Sequence, residues 1–107
     1  MDGHYNFAMS PTPQIRSLAE QAASTIRARL GRGTTVLWFG SWVRGTAVPR
    51  SDVDLAIDSG APLSGVERAS LDGDIEHLPT LRGIDIVDLR SVAPEFRARV
   101  LREGVPL

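Results

Sequence analysis

The stretch Asp52-Val53-Asp54-Leu55-Ala56-Ile57-Asp58 alternates without a break. A period of two is the period of a β-strand, whose side chains point to opposite faces in turn. The pattern predicts a strand with Val53, Leu55 and Ile57 toward a core. Asp52, Asp54, Ala56 and Asp58 then share the other face.

The rest of the pattern fits around this strand. Ile15, Leu18, Ala19, Ala22, Ile26 and Leu30 recur at steps of three and four, which is one face of a helix. Thr12 is its N-cap, Pro13 its first position, and Gly31 and Gly33 end it. Thr34 to Phe39 is β-branched and aromatic, and reads as a strand buried on both faces. Trp42 to Gly45 suits one short helical turn. A helix is expected over Ser64 to Leu78, with Val66, Ala69, Ile75 and Leu78 inward. Ile84 to Leu89 reads as a third strand. Ser91 is the expected cap of a last helix running from about Val92 to Arg102. The order α-β-turn-β-α-β-α implies an α/β or α+β domain with a small sheet.

A chain of 107 residues holds one core, so residues 12–107 are expected to form a single domain behind a flexible lead-in, 1–11. Cysteine is absent, which excludes disulfides and thiolate metal sites. No stretch approaches the roughly 20 apolar residues of a membrane span, and no signal peptide is visible, so a cytoplasmic location is expected. The formal net charge of −1 argues against a nucleic-acid partner.

One constellation carries chemistry. Gly40-Ser41 closes the first strand, and Asp52-x-Asp54 follows after ten residues. A strand that turns into a helical start leaves backbone N–H groups free for an anion such as a triphosphate. Gly40 allows close approach, the Ser41 hydroxyl adds a donor, and Arg44 is available for a phosphate. Asp52 and Asp54, two apart on a strand, point the same way and repel unless a cation lies between them. Mg²⁺ suits such a pair, since it takes one or two carboxylates plus phosphate oxygens and water; Mn²⁺ also accepts oxygen ligands. Two ions would clamp both oxygens of an in-line displacement. Asp85 and Asp88 are the candidates for a third carboxylate, and parity puts them on opposite faces. Asp85 is mid-strand, where an unpaired charge is costly, so it is chosen as ligand and as helper in deprotonating the nucleophile. Asp88 has a simple surface explanation.

Phe39-Gly40-Ser41 through Ser51-Asp52-Val53-Asp54-Leu55-Ala56, with Gly45 between and Asp85 downstream, resembles the DNA polymerase β nucleotidyltransferase superfamily. The similarity is to its minimal bacterial branch, MNT, over roughly residues 13–105. Arg44-Gly45-Thr46-Ala47 is similar to the branch too, while Trp42 and Val43 stand where it often carries a further Arg. The resemblance implies a small mixed sheet with helices packed on one side. It implies two Mg²⁺ ions on Asp52, Asp54 and Asp85. It further implies a HEPN-type toxin partner, with the chain as antitoxin transferring AMP from ATP onto a tyrosine hydroxyl.

Two other readings compete. The chain neutralises a partner by contact alone, or it modifies a small molecule such as an aminoglycoside through a composite cleft in a homodimer.

Overall fold

The computed structural model describes residues 10–107. Most of the expected lead-in, residues 1–9, therefore lies outside the described residues. The elements are α1 (Pro13–Leu30), β1 (Thr35–Phe39), α2 (Ser41–Arg44), β2 (Val53–Asp58), α3 (Gly65–Glu76), β3 (Ile84–Asp88), α4 (Pro94–Glu103) and β4 (Val105–Pro106).

The four strands form one mixed sheet in the order β3-β2-β1-β4. β1 runs antiparallel to both β2 and β4, and β2 runs parallel to β3. The parallel pair needs a crossover, which α3 supplies. Val53, Leu55 and Ile57 are fully buried on one face, with Val36 and Trp38 of β1 beside them. α1 and α3 cover that face through Ile15, Ala19, Ala22, Ile26, Leu71 and Ile75. Full burial of a side chain such as Leu55 contributes about 1.5–3 kcal/mol.

The expected one-sided helix cover holds for α1 and α3, whereas α4 departs from it and lies across the sheet from them. Val100 and Phe96 pack with Leu37, Phe39, Ala56 and Leu89 on the opposite face. β1 is thus buried on both faces, as its run of apolar residues predicts. The part of that face which α4 leaves open carries the acidic residues.

Local signals account for most boundaries. The Thr12 hydroxyl accepts from the Ile15 N–H at 3.2 Å and opens α1. Ser64 and Glu67 form a reciprocal capping box at α3. Three expectations need correction. Val66 is 78% exposed and Ala69 is also exposed; Leu71 and Ile75 carry the inward face of α3, so its apolar stripe starts later than expected. α4 starts at Pro94, whose fixed φ suits the first helical position, and Ala93 rather than Ser91 precedes it. Ser91 instead donates its hydroxyl to Asp88. β4 was not expected, and it is held from outside its own two residues. Leu107 N–H donates to Val36 O at 3.0 Å, and Arg27 donates to Leu107 O at 2.8 Å.

β3 is an edge strand, and one carbonyl on its outer side is occupied. Arg68 of α3 donates to Ile86 O at 2.6 Å while its Nε donates to Asp72 at 3.0 Å. Among the described residues, no helix is long and apolar enough to cross a membrane.

Candidate active site

The site grows from two strand registers. Phe39, the last residue of β1, pairs with Asp54. Asp54 pairs with Asp85 across the parallel β2–β3 ladder. Residues in register share a face, so both carboxylates project from the side of the sheet opposite α1 and α3. Asp85 is exposed, not buried as its apolar neighbours suggested, because it sits on an edge strand with its face uncovered.

Gly40 follows Phe39 with φ of 86°, and α2 begins at the next residue. A Cβ on Gly40 would overlap the Asp54 carboxylate, so only glycine allows the turn and the acid to coexist here. Gly40, Arg44, Asp54 and Asp85 line one open cleft of about 750 Å³. Ser41 opens α2 beside it, at a helix start where backbone N–H groups lack intrahelical partners. Arg44 approaches Glu103 at 3.9 Å, a loose contact between two partly exposed side chains that leaves the guanidinium available to the cleft.

Asp52 is placed differently. β2 starts at Val53, so Asp52 belongs to the preceding loop rather than to the strand. It is exposed, and its carboxylate rests against Gly83, where a Cβ would lie 2.5 Å from Oδ1. It lines a neighbouring groove with Pro49, Arg50 and residues 80–83. The structure therefore brings Asp54 and Asp85 together in one cleft and sets Asp52 at its shoulder.

The electrostatics agree with this crowding. Burial raises the Asp54 carboxyl above its ordinary value, and the charges of Asp85 and Asp52 push it the same way. Arg44 opposes them. Carboxylates held so close favour a cation between them. Among the described residues, no three His, Cys, Asp or Glu side chains enclose a metal position by themselves. An all-oxygen pair open to a cleft fits Mg²⁺, which completes its shell with phosphate oxygens and water.

Asp88 corrects another expectation. It is 7% exposed, on the opposite face from Asp85, and accepts from Leu63 N, Arg90 N and the Ser91 hydroxyl at 2.8, 3.0 and 3.2 Å. It is a buried structural acid rather than a surface one. Asp58 closes β2 and pairs with Arg90 at 2.9 Å. Trp42 is buried, and its indole N–H donates to Ser51 O at 3.0 Å, which makes it a core plug.

Arg68, Phe96 and Arg99 also line the cleft and carried no sequence signal. They lie on α3 and α4, and only the tertiary arrangement brings those helices to the β3 side. Phe96 meets Phe39 edge to face with centroids 6.0 Å apart, and Arg99 lies 5.3 Å from the Phe96 ring.

Comparison with known proteins places this geometry. A structure of a minimal nucleotidyltransferase is 31% identical, covers 99% of this chain and 100% of its own, and superposes with a TM-score of 0.63. A toxin–antitoxin structure with AMP-PNP is 25% identical, with a TM-score of 0.64 over 81% of this chain and 70% of the other. A structure of tri-AMPylated Shewanella oneidensis HEPN toxin in complex with MNT antitoxin shares the fold at 21% identity, with a TM-score of 0.63 over 85% and 69% of the two chains. Comparison with proteins of curated function finds no match. The family profile described as polymerase beta, nucleotidyltransferase matches residues 32–107, which span β1 through β4 and every residue of the cleft. The chain belongs to the polymerase beta nucleotidyltransferase family.

Proposed function

We propose that the chain transfers AMP from ATP onto a hydroxyl of a partner protein, a tyrosine of a HEPN-type toxin, and so acts as an antitoxin. The observation that carries this reading is the in-register Asp54–Asp85 pair facing a cleft whose wall is the Gly40 turn. The 25%-identical relative with AMP-PNP and the MNT antitoxin beside AMPylated HEPN toxin support the nucleotide and the acceptor class.

Members of this family generally use divalent metal ions. Asp54 and Asp85, with Asp52 at the shoulder, are the residues assigned to hold Mg²⁺ or Mn²⁺. When bound, the ions supply positive charge for the phosphoryl oxygens and for the attacking oxygen. The remaining work falls to the chain. The turn at Gly40 and Ser41 presents backbone N–H groups and a hydroxyl to the triphosphate. Arg44 adds a cationic fork. Asp85 accepts the proton of the acceptor hydroxyl as its oxygen bonds to the α-phosphorus. The bond from that phosphorus to the bridging oxygen breaks, and pyrophosphate leaves with the electron pair. An in-line transfer of this kind asks the protein chiefly for positioning and charge.

The test is direct. Purified chain, Mg²⁺, α-labelled ATP and a purified HEPN-type partner should give labelled partner. No label with ATP, GTP, CTP or UTP overturns the reading.

A further inference from the structure

We propose that Arg82 is a positioning residue for Asp52, acting through the loop that carries it. The proposal rests on the reading of Asp52 as part of the transfer site.

Asp52 sits in an irregular segment between α2 and β2, with no strand pairing of its own. A loop carboxylate needs an outside support to keep one position. Arg82 supplies it from the segment before β3. Its Nη1 donates to Pro49 O and to Ser51 O, each at 2.8 Å. A guanidinium is suited to this, because several donors project from one rigid plane and charge strengthens each bond. The Ser51 carbonyl also accepts from the Trp42 indole at 3.0 Å, and the Arg82 guanidinium carbon lies 5.7 Å from the Trp42 ring centre. Trp42 is 2% exposed, so the pair forms a fixed post under the loop.

The next residue completes the support. Gly83 O accepts from Val53 N–H at 3.0 Å. Ser51 and Val53, the two neighbours of Asp52, are thus bonded to Arg82 and Gly83. The missing side chain of Gly83 leaves the space in which the Asp52 carboxylate rests. Arg82 N–H in turn donates to Thr80 Oγ1 at 3.0 Å, which ties the support back to its own loop.

The chain has two tryptophans, which gives an internal control. Trp42 N–H shares its acceptor with Arg82, while Trp38 Nε1 is buried without a partner among the described residues. In ¹H–¹⁵N spectra of the whole metal-free chain, Arg82→Met should move the Trp42 indole signal and leave that of Trp38 in place. In a Mn²⁺ titration, the concentration that broadens the Asp52 and Val53 amide signals by half should rise about tenfold. Arg82→Lys, which keeps one charged donor, should lie between the variant and the wild type in both readings. An unmoved Trp42 signal overturns the proposal. So does an unchanged Mn²⁺ requirement, which would make Arg82 a structural tie alone. A wild type that labels no partner in the transfer assay overturns the proposed function instead, because neither of these readings depends on turnover.

Discussion

Gly40 and Asp54 occupy one space: the carboxylate lies where a β-carbon on the glycine would be. The turn after β1 and the acid of β2 are therefore a single steric unit. Gly40→Ala should destabilise the protein by about 1–3 kcal/mol, through a positive φ and a displaced carboxylate. It should also lower transfer by at least about a hundredfold. Gly60→Ala is the control, since Gly60 has φ of 99° but open space around it. Urea unfolding should show strain in both variants, and labelled-ATP transfer should fall in Gly40→Ala alone.

The Asp54–Asp85 pair should cost stability in the absence of a cation. Asp54→Asn removes one of two facing charges and a partly desolvated carboxylate. In a chelating buffer at neutral pH the variant should melt higher by up to about 4–8 °C, which corresponds to about 1 kcal/mol in a domain of this size. The same variant should lose about 10²–10⁴-fold in transfer rate. A melting temperature below that of the wild type would contradict the repulsion described.

Asp85 and Asp88 should separate function from folding. Asp88→Ala strips a buried acceptor from three donors and should cost about 2–4 kcal/mol by denaturant unfolding. Asp85→Ala, at an exposed position, should not destabilise the protein by more than about 0.5 kcal/mol, and should lose transfer. Equal destabilisation by the two would be inconsistent with their burial.

The Asp58–Arg90 pair sets a mild acid dependence. The hydrogen bond from Arg90 and that from the Gly60 N–H hold the Asp58 carboxyl below its ordinary value of 3.8. A carboxyl lowered in the folded state adds stability that is complete above the unfolded value. That stability is lost as pH falls through the folded one. Wild type should therefore be slightly more stable than Arg90→Gln at neutral pH, the margin being small because the pair is exposed. The gap should close only below about pH 3.8, in unfolding curves taken across the acid range.

What could be read from the residues follows from how local each signal is. The face of β2 was legible because alternation is a property of the strand itself. The face of Asp85 was legible by the same parity, but its exposure was not. Exposure depends on β3 being the last strand, and the order of strands is set by the α3 crossover. Asp88 looked like a surface acid because its partner Leu63 N lies 25 residues away. Asp52 was expected on the strand, since its spacing to Asp54 continues the alternation. Its neighbours Ser51 and Val53 are instead bonded to Arg82 and Gly83, and spacing does not record such ties. β4 has two residues and no period, so only its pairing with Leu37 and Trp38, and the bonds of Leu107 to Val36 and Arg27, define it.

The bond from Arg68 to Ile86 O has a consequence for how the molecule behaves among copies of itself. An open sheet margin is a template for a stranger's backbone, and sheets left flat and bare tend to grow into aggregates. Here a charged side chain takes the place that an incoming strand would need, and Asp72 keeps that side chain turned toward it. Replacing Arg68 by alanine should therefore make concentrated solutions of the protein scatter more light.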